Sequence, residues 1–195
     1  MQVTALILAG GLGTRMGGAD KGLVAFQGQR MIAHVLARLI PQVGQVLINA
    51  NRNLASYQAL GYPVLTDLNT DFDGPLAGMQ VGLRHCTTPW LLTVPCDSPF
   101  LPDDLLLRLS AAVQAPGHPL AIARSASGNH PVFSLLHRDL LPSLEAFLAM
   151  GQRKVSAWQA AHQPVFVDFA DDHAFTNIND GQPLASPPPL TEQHR

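Results

Sequence analysis

At 195 residues, with 47% hydrophobic content and a mean hydropathy of +0.13, the chain can bury one sizeable core, and its length favours one domain. Its 12 Lys and Arg against 14 Asp and Glu leave a formal charge of -2, which excludes a broad basic surface for nucleic acid or an anionic membrane. Cys86 and Cys96 are too few for a disulfide framework and stand in no Cys/His cluster that would hold zinc, so reduced thiols in the cytoplasm are expected. Met1 runs almost at once into an apolar strand without a basic leader, and no apolar run approaches membrane-spanning length.

Strands and helices then alternate along the chain. Leu6, Ile7 and Leu8 read as a buried strand that enters "LAGGLGTRMGGADKG", a stretch with little side chain to pack. Met31, Ile32, Val35, Leu36, Leu39 and Ile40 recur at helical spacing until Pro41 stops them. "QVLINA" is a second strand, "NLASYQALG" a short helix closing at Gly61, and "PVLTD" a third strand ending on Asp67. "GPLAGMQVGLRH" is a loop entering a helix, with Pro75 in the first turn, where its missing N–H costs nothing.

"WLLTVPCD" is a near-continuous apolar run, as expected of a central strand covered on both faces, and its last residue, Asp97, is again a carboxylate. After it come a helix ("LPDDLLLRLSAAV"), two strands ("PLAIARS" and "HPVFSLL") that form an antiparallel insertion over 118–136, two helices ("LPSLEAFLAMG" and "KVSAWQAAH"), and a last strand, "PVFVDF". This order predicts an α/β fold: Rossmann-like, three layers (αβα), a mostly parallel sheet with a small antiparallel insertion, and ligands outside the carboxyl ends of the strands. The domain is expected over 1–184, with the proline-rich tail 185–195 outside its core.

A glycine-rich turn ahead of a helix is a ready anion site, because glycine lets backbone N–H groups approach the ligand. A dinucleotide fingerprint fails here: counting from Gly11 and Gly13, its third glycine position is Met16, and the acid expected after the second strand is replaced by Asn49 and Asn51. A Walker A loop fails too, since Lys21 follows Asp20 and precedes Gly22 instead of Ser or Thr. What is left, a strand and then Arg15 and Lys21 separated by a glycine turn, suits a triphosphate.

Here the residues resemble the nucleotidyltransferases with "LxxGxxxRMGxxK", most closely the molybdenum cofactor guanylyltransferases of bacteria. "LAGGLGTRMGGADKG", "VLINANR", "GPLAGM", "PCDSPF" and "TNIND" occur in the expected order across nearly the whole chain. The resemblance implies transfer of GMP from GTP to the terminal phosphate of molybdopterin (or its molybdenum-loaded form), with loss of pyrophosphate and the help of Mg²⁺. It assigns the backbone at Leu8, Ala9 and Gly10 to the guanine nucleotide, Lys21 to its phosphates, and Asn49 and Asp67 to the nucleotide at strand ends. Arg15 is expected to neutralise charge as pyrophosphate leaves, and Asp97 to ligate the metal, since hard Mg²⁺ prefers oxygen and completes its octahedron with waters and phosphates. The "GPLAG" loop is assigned to the guanine, and Asn177 and Asn179 to the molybdopterin side, although after Asn179 the chain departs from the Thr-Pro and acidic residues usual in the family. Transient contacts with molybdenum-insertion proteins or molybdoenzyme chaperones follow from the same resemblance.

Plainer roles stand beside these. Asp67 and Asp97 can cap a following turn or helix, Asn49 can be structural, and His130, ahead of Pro131, can be a satisfied structural histidine as well as a substrate-facing one. Cys96 is expected to pack. The rival functions are a CTP-dependent cytidylyltransferase, a sugar-phosphate nucleotidyltransferase, which usually shows Pro-Lys where this chain has Asp20 and Lys21, and a non-catalytic nucleotide-binding carrier. "LAGG" favours GTP over CTP, and a carrier would not need both Lys21 and Asp97.

Overall fold

Successive residues of the first strand, β1 (Val3–Leu8), go to opposite sides of the sheet, as the strand period of two requires. Val3, Ala5 and Ile7 enter one hydrophobic cluster and Leu6 the other. The computed structural model describes residues 1–11, 20–68, 74–114 and 117–178. In it, β1 is followed by a short ribbon of β2 (Ala25–Phe26) and β3 (Gln29–Arg30), then α1 (Met31–Leu39), β4 (Gln45–Asn49), α2 (Leu54–Gln58), β5 (Val64–Leu65), α3 (Pro75–His85) and β6 (Trp90–Pro95). The second half contains α4 (Leu105–Ala112), β7 (Leu120–Ser125), β8 (Gly128–His137), α5 (Leu141–Ala149), α6 (Val155–Ala160) and β9 (Val165–Asp168).

Seven strands form one sheet in the order β5-β4-β1-β6-β8-β7-β9. Every pairing in it is parallel except the two made by β8, which runs antiparallel to both β6 and β7. Helices cover both faces. Ile32, Val35 and Leu39 of α1, Tyr57 of α2, and Leu105 and Leu109 of α4 pack on one; Leu76, Met79 and Leu83 of α3, Leu144 of α5 and Trp158 of α6 pack on the other. Burying each such side chain contributes about 1.5 to 3 kcal/mol relative to exposure, which explains why α1 holds although the Arg30 side chain ahead of it makes no capping bond. The three-layer, mostly parallel α/β architecture is the one the sequence pattern predicts, with the antiparallel element at β7 and β8. No helix among the described residues is long and apolar enough to cross a membrane.

Three details differ from the sequence reading. The β2–β3 ribbon is not foreseen, because its turn is Gln27-Gly28, both at positive φ (48° and 82°), and not the Asn-Gly that announces such a turn. Strands β5 and β6 end at Leu65 and Pro95, so Asp67 and Asp97 lie two residues past their strands. Helix α4 starts at Leu105 behind Asp104, leaving Asp97 well ahead of its N-terminus.

One irregularity positions the site. Between β7 and β8 the register runs Ile122 to Ser134 and then Ala123 to His130, so Pro131, Val132 and Phe133 bulge from the ladder. Proline, with no N–H to donate, fits a bulge. The Pro131 carbonyl accepts from Gln159 Nε2 (2.8 Å) and Ser134 Oγ (3.1 Å), which fixes the bulge from beneath.

Candidate active site

From β1 the chain crosses to β4 and β5 on one side, then returns to place β6 on the other side of β1. The crevice between the carboxyl ends of β1 and β6 is therefore a topological switch point, the usual ligand site of an open α/β sheet. The Cys96 N–H donates to the Leu8 carbonyl (3.1 Å), carrying the β1–β6 ladder to the floor of this crevice, and the Ala9 N–H donates to the Asn49 carbonyl (2.8 Å) on the other flank.

Lys21 and Asp97 meet there. Lys21 Nζ donates to Asp97 Oδ2 at 2.9 Å, joining the residue that closes the glycine-rich stretch to the turn after β6. Asp97 is 6% exposed, whereas the Lys21 side chain keeps 30% of its surface in solvent. The carboxylate is thus fixed and the ammonium can still reach a ligand. Asp97 does not cap α4; its own carbonyl accepts from the Ile178 N–H (2.9 Å), which brings the chain after β9 against the site. Cys96 beside it is buried, as its packing role requires, and burial pushes its thiol well above the ordinary range.

On the β4 side, Asp67 is held by two amides. Asn49 Nδ2 donates to Asp67 Oδ1 (2.8 Å) and Asn51 Nδ2 to Oδ2 (2.7 Å), while the Asp67 N–H donates back to Asn51 Oδ1 (2.9 Å). Asn51 Nδ2 also reaches the Gly10 carbonyl (3.2 Å). The backbone at Gly10 is therefore tied to Asp67 through one side chain. Two glycines make this possible: a Cβ on Gly10 would lie 2.8 Å from Asn49 Oδ1, and one on Gly78 would lie 2.4 Å from the same oxygen and 2.5 Å from Leu8 Cδ2. Leu8, Ala9, Gly10, Asn49 and Asp67 thus come together, with Gly78 of the "GPLAG" segment against them.

On the β8 side, Pro95, His130, Pro131, Phe133, Phe175 and Asn177 line a cavity of about 150 Å³. Ser98 Oγ donates to Asn177 Oδ1 (2.7 Å), linking this wall to the turn that carries Asp97. His130 stacks on Phe175, with ring centres 4.2 Å apart and planes 8° from parallel. Asp97 therefore divides the crevice, with the Asn49–Asp67 group on one side and this cavity on the other.

Arg15 and Asn179 lie outside the described residues, as does the tail from 185 onward. Sequence reasoning missed Asn51 as a site-builder, although it stands in the same "VLINANR" motif, and it missed Tyr57 and Asn53. Both of the latter bond Asp20, the Tyr57 hydroxyl to Oδ1 and Asn53 Nδ2 to Oδ2 (3.0 Å). A tyrosine in a short apolar helix reads as core; only the fold brings its hydroxyl to Asp20.

Among the described residues no group of three or more His, Cys, Asp or Glu forms a metal cage. A single buried carboxylate with one oxygen on Lys21 fits a different kind of site, in which a hard divalent cation takes one protein oxygen and completes its shell with phosphate oxygens and water.

The model of the MobA-like NTP transferase domain matches residues 5–165 of the chain. The molybdenum cofactor guanylyltransferase of Cupriavidus taiwanensis is 53% identical over 182 residues, covering 91% of this chain and 92% of the relative. The protein of the same name from Bordetella petrii is 52% identical over 181 residues, with coverages of 91% and 92%. Among solved structures, molybdopterin-guanine dinucleotide biosynthesis protein A from Archaeoglobus fulgidus superposes with a TM-score of 0.70 at 23% identity, covering 85% of this chain and 83% of that one.

Proposed function

The chain belongs to the family of MobA-like NTP transferase domains, and we propose that it transfers the GMP unit of GTP to the terminal phosphate of molybdopterin, forming the guanine dinucleotide and releasing pyrophosphate. The observation that carries this reading is the 2.9 Å contact of Lys21 with Asp97 at the switch point of the sheet. It puts a cation and a carboxylate at the one place from which both halves of the crevice are reached.

In the reaction, an oxygen of the acceptor's terminal phosphate attacks the α-phosphorus of GTP, and the bond from that phosphorus to the oxygen bridging to pyrophosphate breaks. The nucleophile is already an anion, so the demand on the protein is positioning and charge stabilisation more than proton removal. Lys21, and Arg15 with it, offset the charge gathered on the phosphates. Asp97 is the ligand we assign to Mg²⁺, which when bound polarises the phosphate oxygens and screens the two anions from each other. The main chain at Leu8, Ala9 and Gly10 approaches the nucleotide, Asn51 ties that backbone to Asp67, and the start of α3 up to Gly78, packed on Asn49 and Leu8, is the segment we assign to the base. Cys96 takes no part as a nucleophile, because its burial keeps it a thiol.

We further read residues 1–184 as the transferase domain, acting in the cytoplasm, where Cys86 and Cys96 stay free, and handing its product to molybdoenzyme chaperones or insertion proteins. The test is to incubate the protein with Mg²⁺, molybdopterin and each nucleoside triphosphate in turn, following pyrophosphate and the dinucleotide. Turnover with GTP is expected; turnover with CTP alone would overturn the assignment, and binding of GTP without pyrophosphate release would favour the carrier reading.

A further inference from the structure

Residues 131–133 bulge from β8 just after His130, which ends a polar chain running through Ser125 to Asp172. Ser125 Oγ donates to Asp172 Oδ1, and the Ser127 N–H donates to the same oxygen (2.9 Å). Ser125 Oγ also lies 2.6 Å from His130 Nε2. A hydroxyl has one proton, and an ionised carboxylate can only accept. Asp172 is ionised, its carboxyl pushed down to about 2 by the hydrogen bonds from Ser125 and Ser127. The Ser125 proton is therefore committed to Asp172, and the second contact is filled by a proton on His130 Nε2.

This fixes the tautomer of the neutral ring: Nε2 donates and Nδ1 is left as an acceptor. Burial lowers the pKa of His130 and outweighs the opposing pull of Asp172, so the ring is neutral at physiological pH. Phe175, buried and packed edge-on against Phe133 and Phe169, fixes the ring plane. The cavity that His130 lines, about 150 Å³, is the size that admits a single six-membered ring. Its walls are largely apolar, with Asn129, His130 and Asn177 as polar groups.

Resting on the function proposed above, we infer that His130 is a specificity-determining residue for the acceptor, its Nδ1 accepting a hydrogen bond from an N–H of a planar heterocycle seated in this cavity. Ser125 and Asp172 are positioning residues that act through the tautomer. His130 is half-buried, and a ligand ring seated over it would cover its acceptor, so the site discriminates against ligands with no donor there, since the nitrogen would then be left unpaired. The guanine nucleotide, on the other side of Asp97, is untouched by this choice.

The test measures KM for GTP and for molybdopterin separately in His130→Gln, Ser125→Ala and Ser125→Thr, with circular dichroism confirming the fold. Gln keeps a donor toward Ser125 but loses Nδ1 and the stack. His130→Gln should raise the acceptor KM about tenfold, the worth of one good hydrogen bond, with the GTP KM unchanged. Ser125→Ala should move the acceptor KM in the same direction, and Ser125→Thr, which retains the hydroxyl, should restore it. A folded His130→Gln protein with an unchanged acceptor KM, or with both KM values raised alike, overturns the role of His130. Equal values for Ser125→Ala and Ser125→Thr overturn the tautomer argument. Absence of any transfer by the unaltered protein with Mg²⁺, GTP and molybdopterin overturns the function itself, and this inference with it.

Discussion

The Tyr57 hydroxyl donates to Asp20 Oδ1, and Asp20 is the residue immediately before Lys21. Tyr57 is fully buried in α2, so the point at which the glycine-rich stretch ends is anchored to the core and not to solvent. Burial and the nearby acids push the phenol pKa far up, which keeps it a donor at every working pH.

Tyr57→Phe should therefore act on Lys21 at a distance. Removing a buried hydrogen bond to a charged group costs about 1.5 to 3 kcal/mol, or roughly 2 to 4 °C of Tm for each kcal/mol in a chain of this size. Asn53 still holds the other Asp20 oxygen, so the fold should survive while kcat falls several-fold. Differential scanning calorimetry and steady-state kinetics check this; a Tm loss with unchanged kcat would show that Asp20 does not position Lys21.

Asp97→Asn keeps the shape of the side chain and an acceptor for Lys21 but removes the negative charge. If Asp97 holds the metal, transfer should fall by about a hundredfold or more, the usual cost of losing a charge-stabilising group, with little change in Tm. Lys21→Met tests the other partner. It leaves a carboxylate only 6% exposed without its ammonium, so it should lower both activity and stability. The partial exposure of Lys21 limits that stability loss, since solvent already screens part of the pair. Full activity of Asp97→Asn at ordinary Mg²⁺ concentration removes it from the site.

Much of this was legible in the chain. The strand and helix periods specify the layers, and the order of glycine loop, "VLINANR" and "PCDSPF" puts Asn49 at the end of β4, Asp97 just past β6 and Lys21 beside it. Hydrogen-bond partnerships were not legible, because they are set by tertiary distance. Asp67 reads equally as a turn cap or a ligand contact until Asn49 and Asn51 are seen on its two oxygens. Likewise His130 reads equally as a structural histidine or a substrate-facing one until the bulge opposite Ala123 is seen with His130 lining a cavity, and no residue pattern announces a bulge of that size.

Gly78→Ala tests the packing beneath the nucleotide. The new methyl would lie 2.4 Å from Asn49 Oδ1 and 2.5 Å from Leu8 Cδ2, distances that real Cβ atoms do not show. Leu8 can rotate away, but Asn49 is held by Asp67 and by the Leu65 carbonyl, so the displacement should pass to Asp67 and to the Gly10 backbone. The expected result is a loss of about 1 to 3 kcal/mol of stability, as in other overpacked cores, together with a raised KM for GTP. Calorimetric titration with GTP measures the second effect, and an unaltered affinity would separate Gly78 from the nucleotide.

Acid unfolding tests the chain that ends on His130. The Asp172 carboxyl is lowered from 3.8 to about 2 by hydrogen bonds from Ser125 and Ser127, so between those values the unfolded chain binds more protons than the folded one. Stability from this group is complete above the unfolded value and drains away as the pH falls through the folded one. Asp172→Asn has no proton to take up. Measured in the His130→Gln background, where no imidazole titrates beside it, the stability advantage of Asp172 over Asp172→Asn should stay constant from neutral pH to about 5 and then shrink toward about pH 2, as read from urea midpoints along the series. A gap that widens on acidification, or that does not move, would show that Asp172 is not ionised against Ser125 and would free the His130 tautomer.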